Sequence, residues 1–335
     1  GDHRDLHLSI RRQRQMCIRD RNIDISKKIL WIAISIAILS TFVGCAALGM
    51  SNEVSQDTAL ESRGYASTDR LVTTKWVVDN LDNDNVKIVD IRKAEDYAAG
   101  HIPGALNYPY GELQVETNGV KGMIPPGENI SAKLSSLGIS PEDTIIIYDH
   151  IKNLWSTRLL WTLEVYGHED ARMMDGSWGV WSAEGKTVST ESPSISSTSY
   201  KFTKAKNESL IIDMAAVQAS IDDNSSVVLD TRSADEYAGR DVRANRGGHI
   251  PSSIHVEWVQ NVDGEGKFLP ASDLKTLYAS ANINSDLDIY TLCQTAVRAT
   301  HSWFVLTDLL GYEDVSVYDG SWTEWGNDEN TPIDS

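Results

Sequence analysis

Between Ala46 and the last residue the chain holds one cysteine, Cys293, and its neighbours are of the kind that make a thiol reactive. The stretch "TLCQTAVRAT" (Thr291–Thr300) sets it after the apolar run "DLDIYTL" (Asp286–Leu292). A segment of helical spacing follows, "ATHSWFVLTDLLGY" (Ala299–Tyr312), in which Trp303, Leu306, Leu309 and Leu310 share one face. A loop ending at a helix N-terminus aims backbone N–H groups and the positive end of the dipole at its centre. Arg298 adds a full positive charge at the loop's end. Such surroundings favour a thiolate, which predicts that Cys293 is a nucleophile and not an inert core cysteine. Gln294, Thr295, Ala296, Val297 and Arg298 complete the candidate loop.

The elements that must hold this loop alternate between strand and helix. "VKIVD" (Val86–Asp90), "TIIIY" (Thr144–Tyr148) and "ARMMD" (Ala171–Asp175) are short apolar runs of buried-strand type, and Trp155–Tyr166 is of helix length. That alternation predicts an α/β fold with a parallel sheet. The text then recurs. "VDIRKAEDYAAGHIPGALNYP" (Val89–Pro109) returns as "LDTRSADEYAG" and "GGHIPSSIHVE" within Leu229–Glu257, and "YGHEDARMMDGSWGVW" (Tyr166–Trp181) as "LGYEDVSVYDGSWTEW" (Leu310–Trp325). Asp90 and Asp230 lie 140 positions apart, and Asp175 and Asp319 lie 144 apart, so the chain carries a duplicated domain. We place the first copy at 69–186, a Ser/Thr-rich linker at 187–207 and the second copy at 208–330.

Together "DxR", "EY", "GHIP", a cysteine loop and a closing "DGSWxxW", in that order in both halves, resemble the tandem rhodanese-type sulfurtransferases. The resemblance implies two five-stranded parallel sheets flanked by helices, and transfer of a sulfane sulfur through a Cys293 persulfide. By themselves the Asp–Arg pairs (Asp90 with Arg92, Asp230 with Arg232), the "GHIP" turns and the "DGSW" turns read as structural features that identify the fold and not the chemistry.

Loop length narrows the chemistry. Cysteine-dependent phosphatases of related fold put five residues between cysteine and arginine, where this chain puts four. The smaller ring of amides suits the terminal sulfur of a persulfide. At 144 positions' offset Cys293 corresponds to Asp149, so the first copy reads as non-catalytic. Related loops carry glycine where Ala296 stands, and a positive φ there would strain alanine by about 1 kcal/mol or more.

The expected donor is thiosulfate and the expected acceptor a thiol or cyanide, with Arg298 and Arg246 holding the dianion. Mammalian-type members have an arginine at the position of Glu236 and a lysine at that of Thr295, so 3-mercaptopyruvate is the alternative donor. A persulfide carrier or sensor without turnover is the alternative outside catalysis. No cofactor is expected, and no metal, because His101, His249 and His255 lack a supporting ligand cluster.

Composition and the N-terminus set the location. The net charge of -18 argues against nucleic acid as a partner. "RRQRQMCIRDR" (Arg11–Arg21, with Cys17) resembles translated adapter sequence, so residues 1–21 are set aside. Lys27 and Lys28, the run Ile29–Val43 and "FVGC" ending at Cys45 resemble a lipoprotein signal at 22–45. Residues 46–68 then read as a tether. The expectation is an exported protein of the cell envelope, anchored through lipid on Cys45 or through an uncleaved span.

Overall fold

Two parallel five-stranded sheets of the same order carry the computed structural model, which describes residues 55–335. The expectations for Cys17, for the signal segment and for Cys45 lie outside these residues. In the first copy the strands are β1 (Leu71–Val72), β2 (Val86–Asp90), β3 (Leu106–Asn107), β6 (Thr144–Tyr148) and β7 (Ala171–Met174), ordered β1-β7-β6-β2-β3. A two-stranded antiparallel hairpin, β4 (Val115–Thr117) and β5 (Val120–Met123), projects between β3 and β6 in the chain. The second copy has β8 (Ile211–Ile212), β9 (Ser226–Asp230), β10 (Ile254–His255), β11 (Asp288–Leu292) and β12 (Val315–Tyr318), ordered β10-β9-β11-β12-β8. The central strand β6, "TIIIY", is buried at every position, as a strand covered on both faces must be.

The two copies form one packed unit. The largest apolar cluster runs through both, taking Ile145, Ile147 and Leu160 from the first and Ile289, Phe304 and Leu306 from the second. At its centre the helix Leu154–Tyr166 packs against its counterpart Val297–Phe304, and the Thr157 and Thr300 hydroxyls meet at 3.3 Å. The joint is also tied by polar contacts that repeat across it. Asp175 accepts from the Phe268 amide of the other copy at 3.0 Å, and Asp319 accepts from the Ile124 amide at 2.7 Å. Each acceptor and each donor lies 144 positions from its counterpart. Asp319 is further paired with Arg158 at 2.7 Å, with both side chains buried.

The repeated motifs meet in space. Arg232 grips Asp230 through Nε and Nη2, donates to the Gly248 carbonyl at 2.7 Å and lies 4.1 Å from the Trp322 ring centre. Arg92 does the same with Asp90, Gly100 and Trp178. One buried guanidinium therefore links "DxR", the residue before "HIP" and "DGSW", which is why they recur together.

The structure adds contacts at three of the expected divisions. Residues 55–68, expected to belong to a free tether, form a clasp: Leu60 is buried, Asp57 caps the turn Thr58–Arg63, and Arg63 and Tyr65 both donate to the Phe268 carbonyl. The linker 187–207 is stitched to the first copy, with Ser189 bridging His101 and buried Tyr200 bonding His168 at 2.9 Å. The second copy runs past residue 330, because Asp334 bridges His249. Among the described residues no helix is long and apolar enough to cross a membrane.

Candidate active site

Strand β11 ends at Leu292 and delivers Cys293 to the loop, as the sequence predicts; the helix begins at Val297. Cys293 is 1% exposed. The loop is held from the "DGSW" turn of its own copy. Ser321 Oγ accepts from the amides of Cys293 (3.2 Å) and Ala296 (3.1 Å), the Trp322 amide donates to the Cys293 carbonyl, and the Thr323 amide and hydroxyl donate to the Gln294 carbonyl. Ser321 adopts φ 50°, as Ser177 adopts φ 57° in the first copy, an uncommon left-handed setting imposed by this job. "DGSW" therefore holds the Cys293 loop, a contact that the sequence reading did not include. The signal was present in the repeat: Ser177 lies 28 positions after Asp149, and Ser321 lies 28 after Cys293.

Asp149 shows what the loop is built to hold. Its carboxylate accepts from the amides of Ile151 (2.7 Å), Asn153 (3.1 Å), Trp155 (2.8 Å) and Ser156 (3.1 Å), and from Ser177 Oγ. Four amides converge on one anion at a helix N-terminus. The first copy thus satisfies its cradle with its own carboxylate, which leaves its amides committed. In the second copy a sulfur stands where that carboxylate begins. The loops also differ in length: the first helical residue is five positions after Asp149 (Leu154) but four after Cys293 (Val297). The missing residue returns further on, where a π-turn at Val305–Leu309 makes the stretch from Val297 to Gly311 one position longer than that from Leu154 to Gly167.

Ala296 has φ 62°, so the strain foreseen for alanine at this position is present. Its methyl group is fully buried in the central cluster. Asn153, at the matching helix start, has φ 64°, a setting asparagine tolerates better.

The expected cations behave differently from each other. Arg298 sits beside the thiol but is not free: it pairs with buried Glu236 through both terminal nitrogens, at 2.5 and 2.8 Å. Burial opposes the Arg298 charge, and Glu236 and the Cys293 sulfur together hold it protonated, above its ordinary range. Burial would raise Glu236; Arg298 and Ser233 outweigh it and bring the carboxyl down to about 2. Arg246, expected to bind the donor, is spent elsewhere. Its terminal nitrogens donate to the carbonyls of Thr331 (2.9 Å), Trp325 (3.1 Å) and Asp328 and to Thr331 Oγ1 (2.5 Å), so it anchors the C-terminal segment. Arg243 takes the rim position instead: half-exposed, 3.5 Å from Glu236, with its carbonyl accepting from Gln294 Nε2 at 3.0 Å. Nothing in the sequence pattern separated Arg243 from Arg246.

The first copy supplies a wall. Gln114 Nε2 donates to the Thr295 carbonyl at 3.0 Å, and β5 lies so close that a Cβ on Gly122 would meet Thr295 Cβ at 2.5 Å. Arg158 Nη2 holds the Gly122 carbonyl at 3.1 Å.

A buried cysteine in a loop whose counterpart cradles a carboxylate, on a doubled parallel α/β scaffold, points to a class of cysteine-dependent group-transfer protein. The Rhodanese-like domain model matches residues 73–184 and again 213–328, and the chain belongs to that family, as a tandem rhodanese-type sulfurtransferase. It is 34% identical over 284 residues to the sulfur carrier protein TtuD of Thermus thermophilus, covering 81% of this chain and 98% of that protein. It is 33% identical over 283 residues to a thiosulfate sulfurtransferase of Corynebacterium glutamicum, covering 81% and 92%. Among solved structures it resembles YnjE (TM-score 0.73, 22% identity, 81% and 69% covered), which bears on the fold alone.

Proposed function

We propose that this sulfurtransferase takes its sulfur from thiosulfate and passes it to a thiol or cyanide through a persulfide on Cys293. The observation that carries the reading is Asp149 of the first copy, whose carboxylate, bonded by four amides, shows that the loop matching that of Cys293 holds an anion. The Cys293 thiolate attacks the outer sulfur of thiosulfate, an S–S bond forms, and the old S–S bond breaks with its electron pair leaving on sulfite. The persulfide's terminal anion then faces loop amides and Arg298. An attacking acceptor takes that outer sulfur and returns the Cys293 thiolate. The names of the Corynebacterium and related proteins support the donor.

Intact-mass measurement after thiosulfate should show one added sulfur on the wild type and none on Cys293→Ser. A persulfide on the serine variant sinks the assignment. A second reading, a persulfide carrier with little turnover, is favoured by the Thermus relative's name and by the near-complete burial of the thiol. Repeated turnover with free thiosulfate and cyanide decides against it. For the N-terminus we propose export and lipidation at Cys45; a Cys45→Ala chain that still partitions with membranes after signal cleavage refutes the lipid anchor.

A further inference from the structure

Two arginines converge on one carboxylate beside the reactive sulfur. Arg298 grips Glu236 with both terminal nitrogens, and Arg243 lies 3.5 Å from the same carboxylate and 2.6 Å from Asp241. Glu236 is 1% exposed and is fixed by the Ser233 amide (3.1 Å) and hydroxyl (3.0 Å). Two cations therefore stand against two anions, and the next pair along, Arg240 with Asp235, cancels itself in the same way. The rest of the molecule adds a net charge of -18. A doubly charged donor arriving at this thiol finds Arg298 and Arg243 both already paired with carboxylates.

The first copy supplies a control. The residue before its "EDY" tyrosine, Asp96, is exposed, and Trp155 stands at the helix position of Arg298. A buried carboxylate at this position occurs only in the copy that has the thiol.

We infer that Glu236 is a specificity-determining residue, which neutralises Arg298 and so narrows the loop's preference for doubly charged over singly charged sulfur donors, leaving thiosulfate accepted but not strongly selected. The inference rests on the Cys293 persulfide reading. Glu236 acts through Arg298 and not on the donor, so it is a positioning residue. With 3-mercaptopyruvate, the singly charged probe, Cys293 attacks the thiol sulfur and the C–S bond breaks. The leaving carbon takes the electron pair and the thiol proton, giving pyruvate and the same persulfide.

The test compares rates of persulfide formation from thiosulfate and from 3-mercaptopyruvate in the wild type, Glu236→Gln and Glu236→Asp. Removing one negative charge near the sulfur acts about twice as strongly on a dianion as on a monoanion. At an effective permittivity of ~20 the thiosulfate-to-mercaptopyruvate ratio should rise about tenfold or more in Glu236→Gln. The rise should shrink at about 0.5 M salt, and Glu236→Asp should restore the wild-type ratio. An unchanged ratio in Glu236→Gln, or an equal loss for both donors, overturns the inference. If the glutamine variant does not fold, the wild type still decides: thiosulfate loading should depend on salt no more steeply than mercaptopyruvate loading. A markedly steeper fall reveals an uncompensated cation and refutes it. A wild type that takes sulfur from neither donor overturns the persulfide reading itself, a result distinct from an unchanged ratio.

Discussion

Replacing Arg158 by methionine should weaken the joint between the two copies more than any surface change could. The guanidinium is wholly buried, lies over the Trp161 ring and makes two hydrogen-bonded contacts, to Asp319 at 2.7 Å and to the Gly122 carbonyl at 3.1 Å. The second loss costs little, because Gln114 Nε2 also serves that carbonyl at 3.2 Å. Methionine refills most of the apolar volume, so the cavity left is small. The first loss dominates: Asp319 keeps only the Ile124 amide among these partners and becomes an unpaired buried charge. Removing one member of a buried pair costs about 3–5 kcal/mol, a large share of a total near 5–15 kcal/mol. Urea unfolding followed by tryptophan fluorescence reads this as a lower midpoint at an unchanged slope. Two further outcomes follow from the same physics. The deficit should narrow as pH falls, because an unpaired buried carboxylate takes up a proton readily. Arg158→Met with Asp319→Asn should regain most of the loss, since the amide oxygen still accepts from Ile124. A loss below about 1 kcal/mol, or a double variant no better than the single one, refutes the argument.

Asp175 gives the pH dependence. Burial raises it to about 6 against the opposition of Arg63 and the Phe268 amide. The folded state therefore binds this proton more tightly than the unfolded chain, and stability falls as pH rises from about 4 to about 6, by up to ~3 kcal/mol from this group. The difference in unfolding free energy between wild type and Asp175→Asn should carry that slope; a pH-independent difference refutes it. For Ala296→Gly, relief of ~1–2 kcal/mol of left-handed strain is offset by ~0.8 kcal/mol of methyl burial and by the extra freedom of unfolded glycine. The expected change is within about 1 kcal/mol, whereas Ala296→Val should destabilise by more than ~2 kcal/mol, both read from denaturant midpoints. Arg246→Ala should lower the melting temperature and leave the rate of sulfur loading nearly unchanged; a selective loss of loading would return Arg246 to the donor site.

Local pattern carried the fold a long way. Three consecutive isoleucines bounded by polar turns could only be a doubly covered strand, and the recurrence of whole motifs exposed the duplication. The Cys293 loop was legible as a strand-to-helix loop because a thiol, a helix start and an arginine fall within six residues. What stayed hidden involves partners far apart in the chain. Glu236 and Arg298 are 62 positions apart, and no periodicity says that they pair. Arg246 looked free because all but one of its acceptors are main-chain carbonyls, which have no residue-type signature. The sign of φ at Ala296 depends on where Ser321 pulls its amide. The difference in loop length was masked because the two copies regain their common spacing at the closing glycine, making the alignment look uninterrupted.

That regained spacing has a consequence for how such loops can change. A π-turn stores one residue without moving either end of the segment that contains it. A chain able to open or close such a turn in the Val305–Leu309 stretch can lengthen or shorten the reactive loop while β11, β12 and Gly311 keep their places. The size of the guest that the loop encircles is thereby separated from the architecture that supports it. Within this one molecule, two hosts of different circumference share a scaffold, one closed around a carboxylate of its own and the other built around a thiol.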